Sequence, residues 1–229
     1  MTIQEKIAHL NTLIRQSEHA CGRNGGEVQI LAVSKGHSTA AMKEAYLAGL
    51  TEFGESYLQE AQQKITALHA LPLTWHFIGP IQSNKTKRIA ELFSWVHSVY
   101  RLNIAQRLNE ARPENMPPLN VCVQVNMDAE ETKSGVSIAS VRELLLSFSH
   151  LPRLRLRGLM AIPKPLKDEE QQYRSFLRLT ELFHTLNKEL NGSMDTLSMG
   201  MSHDWPAAIR AGTTMIRIGT AIFGERTSS

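Results

Sequence analysis

The residue best placed to do chemistry in this chain is a lysine that closes an apolar run. In QILAVSKG, residues 29–36, the apolar stretch leads into Ser34 and Lys35, and a glycine follows at once. An apolar run of about four to eight residues bounded by turn signals suits a strand buried on both faces. In parallel α/β folds, ligands bind at the carboxyl ends of such strands. Lys35 stands at such an end; a surface lysine that merely stops a strand is the plain alternative. Two later stretches suit an anion. TLSMGMS, residues 196–202, ends on Met201 and Ser202 before a short helical segment, and Gly219 and Thr220 offer unhindered N–H groups and a hydroxyl. Barrel enzymes often hold phosphate in the loops after their last two strands with such groups. Taken singly, both stretches also read as ordinary turns. Together with the lysine they suggest a phosphorylated aldehyde held as a Schiff base, pyridoxal 5′-phosphate (PLP) covalent on Lys35 being the expected cofactor. The attacking amine must be neutral, and desolvation or nearby positive charge favours that form. Arg217 suits a partner for the pyridine nitrogen. A guanidinium does not give up its proton, so it leaves that nitrogen unprotonated and weakens the ring as an electron sink.

These residues need a scaffold that brings strand ends together. Ile3, Ile7, Leu10, Leu13 and Ile14 fall on one face of an N-terminal amphipathic helix that stops near Gly22. Apolar runs then alternate with helical patterns: strands at 29–35, 51–56, 74–79, 95–100, 119–126, 155–163, 196–202 and 214–224, with helices at 38–48, 58–68, 85–93, 102–111, 141–148, 168–190 and 207–211. Every strand but the last is followed by a helix. Eight βα-type units predict an α/β fold, a (β/α)₈ TIM barrel with an extra N-terminal helix, in one domain spanning 1–229. A doubly wound open sheet is the runner-up, disfavoured because no G-x-G-x-x-G follows the first strand. Closure puts the first strand beside the eighth, so Lys35 faces the Arg217–Thr220 stretch across one strand spacing. Gly36 is then expected to leave room for a flat ring.

Composition narrows the partners. The 25 Lys and Arg against 22 Asp and Glu are interleaved, giving +3, which argues against nucleic acid. Cys21 and Cys122 form no C-x-x-C, and Cys122 sits in an apolar run that suits the core. None of the nine histidines forms H-x-x-x-H, so no metal is expected; His76 and His97, inside strand runs, read as hydrogen-bonded structural residues, and Trp75 and Trp95 as core. IGTAIFG continues with Glu225-Arg226 and is not a Walker motif. With no signal-peptide-like start and no apolar stretch of about 18 residues, a cytoplasmic protein away from membranes is expected.

LAVSK, FGES-x-x-QE, WHFIGPIQSNK, KSGV, GLMAIP, LSMGMSHD and MIRIGTAIFGER, in that order from about residue 28 to 226, resemble the motif series of the pyridoxal phosphate homeostasis protein family. Its members are single-domain relatives of the alanine racemase N-terminal barrel. The resemblance implies that Lys35 carries the cofactor, that Ser202, Gly219 and Thr220 contact its phosphate with Met201 beside them, and that Arg217 faces the pyridine nitrogen. It also implies cofactor contacts for Ser56 and Asn84, with Lys85 near the mouth, and a second lysine for cofactor transfer, Lys133. Three positions depart from the family pattern. Ser56 replaces an asparagine, His203 usually an aspartate, and Gly36-His37 a further basic residue. The implied role is vitamin B6 homeostasis without catalytic turnover: supplying or buffering PLP, with transient contact to PLP-dependent apo-enzymes and with a monomer as the expected state.

The alternative is a PLP-dependent amino-acid racemase. Two-base racemisation needs an acid/base on each face of the substrate's α-carbon. In alanine racemases the second is a tyrosine lent by another subunit's C-terminal domain. This chain ends at Ser229 without such a domain, and Tyr46, Tyr57, Tyr100 and Tyr173 offer no obvious substitute. The carrier is therefore the expected reading.

Overall fold

β-Branched and aliphatic runs of four to eight residues build the interior of the computed structural model, which describes residues 1–128 and 134–225. The barrel strands are β1 (Gln29–Val33), β2 (Glu52–Glu55), β3 (Thr74–Phe77), β4 (Trp95–Val99), β5 (Leu119–Asn126), β7 (Leu154–Met160), β8 (Thr196–Ser198) and β9 (Met215–Ile218); β6 is the two-residue Val136–Ser137, added on β5. All neighbours pair in parallel. The ring runs β1-β2-β3-β4-β5-β7-β8-β9 and closes through β9 and β1, where Leu31 lies opposite Arg217 and Ala32 opposite Ile218. Closure leaves no open edge among the eight barrel strands, which makes the fold the eight-stranded barrel expected from the sequence. β7 and β8 approach so closely at Gly158 that a Cβ there would stand 1.7 Å from the Thr196 carbonyl oxygen.

The surrounding helices are α2 (Thr39–Leu47), α3 (Leu58–Ala67), α4 (Thr86–Leu92), α5 (Leu102–Ala111), α6 (Ile138–Ser147), α7 (Glu169–Glu189), α8 (Trp205–Arg210) and α9 (Thr220–Phe223), preceded by α1 (Ile3–Ala20). A capping box, Thr2 with Glu5, starts α1, which buries Ile7, Leu10 and Ile14. Its Glu18 is wholly buried and accepts from the Gly26 and Val28 N–H groups at 2.8 and 2.7 Å, fixing the chain's entry into β1.

Four expectations need correction. The first strand ends at Val33, two residues before Lys35, because Ser34–His37 forms a turn. The run at 214–224 is not one strand: β9 stops at Ile218 and α9 begins at Thr220, so the last strand is followed by a helix as well. The runs at 155–163 and 196–202 stop as strands at Met160 and Ser198, their remainders forming loops at the barrel mouth. β6 carries too little sequence to show a period. Trp75, Trp95 and Cys122 are buried. Lys133 lies outside the described residues.

Candidate functional site

Lys35 occupies the second position of a tight turn in which the His37 N–H donates to the Ser34 carbonyl at 3.0 Å. The third position, Gly36, has φ +75°, a left-handed conformation that glycine adopts without strain. Glycine is thus required there by the turn, rather than simply to make room for a ring. Beneath the turn lies a polar cluster. The Lys64 ammonium donates to the Ser34 carbonyl (2.6 Å), Glu55 Oε1 (2.8 Å) and Glu60 Oε1 (2.6 Å). The Ser34 hydroxyl donates to Glu55 Oε1 at 2.7 Å, and the Gly36 N–H to Glu60 Oε1 at 2.6 Å. Burial pushes the Glu55 carboxyl up against the pull of Lys64 and Ser34. A stack of His37 on Phe223, 4.9 Å between centroids, ties the turn to α9.

Arg217 reaches the same region from β9. Its Nη1 donates to the Ser198 carbonyl (2.6 Å) and hydroxyl (2.9 Å), and its Nη2 to the Ala161 carbonyl (2.9 Å). Those bonds use three of a guanidinium's five donors. Burial pushes its pKa down to about 10. The loop after β8 is shaped by Asp204, whose Oδ1 accepts from the Met201 N–H at 2.6 Å. Gly200, at φ +93°, admits the approach of α8, since a Cβ there would lie 2.6 Å from that of Ala208. The first N–H groups of a helix have no acceptor within it, and Gly219 and Thr220 stand at the start of α9.

These parts converge on a cavity of about 240 Å³, lined by Lys35, Met201, Ser202, Arg217, Gly219 and Thr220 together with Val33, Ile78, Ile162 and His203. Ser56 is elsewhere, bordering a separate hollow of about 670 Å³ with Tyr57 and Lys85. Asn84 is exposed on the 3₁₀ turn Ser83–Lys85 and lines neither. The volume falls below the roughly 300–1,000 Å³ of drug-sized ligand sites, which suits a small, single-ring ligand. Its polar chemistry is one amine, one buried guanidinium, one imidazole (His203) and two hydroxyls, beside apolar Val33, Ile78 and Ile162.

The sequence model of the alanine racemase N-terminal domain family matches residues 9–227. The pyridoxal phosphate homeostasis protein of Pseudomonas aeruginosa is 55% identical over 98% of this chain and 96% of its own length, and that of Vibrio alginolyticus 52% identical over 98% of each. The chain belongs to the pyridoxal phosphate homeostasis protein family. PipY of Synechococcus elongatus, solved with PLP bound, superposes with a TM-score of 0.86 at 36% identity, covering 97% of this chain and all of PipY.

Several residues that shape this cavity carry no signal of their own in the sequence. Glu55, Glu60 and Lys64 belong to FGES-x-x-QE and the helix after it, yet their convergence on the Lys35 turn depends on how α3 packs back against β2. The i, i+4 spacing of Glu60 and Lys64 was the one available hint. Ile78 and Ile162 follow the ends of β3 and β7 and read simply as apolar. His76 and His97 are buried and hydrogen-bonded to each other at 2.9 Å, as their places in strand runs led one to expect. Among the described residues, no group of three or more His, Cys, Asp or Glu could hold a metal.

Proposed function

We propose that residues 1–229 form a single domain that binds PLP in the Lys35 cavity, with Lys35 as the covalent attachment point, and that serves PLP homeostasis by holding and releasing the cofactor without turning over a substrate. The observation that carries this reading is the convergence of an amine, a buried guanidinium, two hydroxyls and a helix start on one small cavity. When bound, the cofactor supplies an aldehyde that condenses with an amine. The protein's own residues do the rest. The turn Ser34–His37 holds Lys35 over the cavity. Ser202, Thr220 and the α9 start suit the phosphate, and Arg217 would donate to the ring nitrogen and leave it without a proton. That last feature suits a carrier, because it limits the ring's capacity to stabilise a carbanion.

Two further observations support a carrier over a racemase. None of Tyr46, Tyr57, Tyr100 and Tyr173 lines the cavity. The relatives at 55% and 52% identity are named pyridoxal phosphate homeostasis proteins, not racemases. The apo-enzymes that would receive the cofactor, a monomeric state and a role for Lys133 in transfer belong to this proposal. Among the described residues no helix is long and apolar enough to cross a membrane, and we place the protein in the cytoplasm.

Borohydride reduction of the PLP-loaded protein followed by intact mass measurement tests the reading. One cofactor mass is expected on the wild type and none on Lys35→Ala. Absence of the adduct from the wild type, or its persistence in the variant, sinks the assignment. Incubation with L-amino acids in deuterated water tests turnover: sustained α-hydrogen exchange would replace the carrier with an enzyme.

A further inference from the structure

A line of buried polar side chains crosses the barrel beneath the cavity. Glu52 on β2 faces His76 on β3, Oε2 to Nε2, at 2.6 Å. His76 Nδ1 meets His97 Nε2 on β4 at 2.9 Å. His97 Nδ1 meets the Ser198 hydroxyl on β8 at 3.0 Å, and that hydroxyl accepts from Arg217 Nη1 at 2.9 Å. β4 and β8 are not neighbours in the ring, so the bond from His97 to Ser198 spans the barrel interior. His76, His97 and Ser198 are fully buried, Arg217 is 4% exposed, and Glu52 keeps 17% of its side chain in solvent.

The two ends decide where every proton lies. A guanidinium only donates, an ionised carboxylate only accepts, and a neutral imidazole does one of each. If His76 donates from Nε2 to Glu52, its Nδ1 must accept, so His97 donates from Nε2. His97 Nδ1 then accepts, so the Ser198 hydroxyl donates to it and has its lone pairs left for Arg217. Each bond is satisfied in this one direction. The reverse direction gives the carboxylate no proton to accept and the Ser198 proton no acceptor in the line. The ring planes are fixed as well: His76 stacks on Trp95 with centroids 5.3 Å apart and planes 10° from parallel.

We propose that Glu52, His76, His97 and Ser198 form a one-way hydrogen-bond relay across the barrel that orients the Arg217 guanidinium toward the cavity. None of the four lines that cavity, so they are positioning residues. Arg217 has two backbone anchors, the Ser198 and Ala161 carbonyls. The relay supplies the side-chain contact that selects its rotation and, through aligned dipoles, links it to a negative charge at the far side of the barrel. That this matters for the cofactor's ring nitrogen rests on the function proposed above.

The test starts with ¹⁵N-labelled histidine NMR on the cofactor-free wild type. Both rings are expected neutral with the proton on Nε2; an Nδ1-protonated or doubly protonated ring at neutral pH overturns the relay. Glu52→Ala is then read at His97, a residue Glu52 does not touch. The relay predicts that the His97 nitrogen shifts move toward those of a tautomer mixture, whereas unchanged His97 signals mean that the two histidines are held independently. Ser198→Ala is read by PLP retention. About tenfold weaker retention is expected, equivalent to about 1.4 kcal/mol, and wild-type retention overturns the positioning role. A wild type that binds no PLP would refute the proposed function, while its histidine spectrum still decides the relay.

Discussion

Lys64 touches no part of the cavity, yet it sets the geometry of the lysine that does. Its ammonium is the hub joining Ser34, Glu55 and Glu60 under the Lys35 turn, with side-chain exposures of 6% for Lys64 and none for Glu55. Breaking a buried pair by removing one partner costs about 3–5 kcal/mol, because the other charge stays behind uncompensated. Glu55 Oε2 already lacks a partner among the described residues, so the cluster has little slack. Lys64→Met is therefore expected to lower unfolding free energy by about 3–5 kcal/mol in urea titrations, and combining it with Glu55→Gln should recover part of the loss. The histidine pair makes a second prediction. Burial holds both rings below the ordinary histidine value of 6.5, His97 well below it. The unfolded chain then binds protons that the folded chain refuses, so stability is lost as pH falls below about 6.5. Each ring contributes up to about 1.4 kcal/mol per pH unit in that window. Glu55 opposes this with one carboxyl raised from 4.5, since a raised acid loses stability as pH rises. Urea midpoints at pH 7 and 5.5 should therefore show a net fall on acidification.

Among the elements, α1 is the addition to the plain barrel, and it is tied in by chemistry as well as packing. Glu18, near its end, accepts from two backbone N–H groups of the segment entering β1. Removing the carboxylate leaves the buried Val28 N–H, and the more exposed Gly26 N–H, without their acceptor, a loss of about 1–3 kcal/mol. Glu18→Ala is expected to reduce stability by that amount in thermal or urea unfolding, and a neutral result would show that α1 docks by its apolar face alone. Arg112 plays a similar part after α5, donating to the Ala90 and Phe93 carbonyls at the end of α4 and to Pro117 on the way to β5. In both cases one long side chain satisfies backbone groups that helix ends and loops leave open.

For the whole molecule, closure is the decisive event. Pairing of β1 with β9 brings Lys35, near the start of the chain, beside Arg217, Gly219 and Thr220 near its end. Much of this was legible in the residues themselves. Apolar runs with turn signals at their ends mark strands, and eight in alternation with helices leave a closed barrel as the economical way to bury them all. Lys35 and Ser202 stood out because each closes a strand run, and Arg217, Gly219 and Thr220 because a cation, a glycine and a hydroxyl fall together in the last one. Strand lengths were less legible: an apolar residue at a strand's end and one in the following mouth loop look alike, so β1, β7, β8 and β9 are shorter than their runs. Ser56 and Asn84 also follow strand runs; Ser56 borders the separate hollow and Asn84 is exposed on the turn Ser83–Lys85. The sequence by itself determined the alternation, the closed ring and the identity of the residues at its mouth, because those follow from local periodicity and strand count. Only the tertiary structure decided that Lys64 and Glu60 meet under the Lys35 turn, and that His97 reaches Ser198 across the interior. Such contacts depend on the register and tilt of strands and helices far apart in the chain, and no local pattern encodes which inward-facing side chains end at the same height.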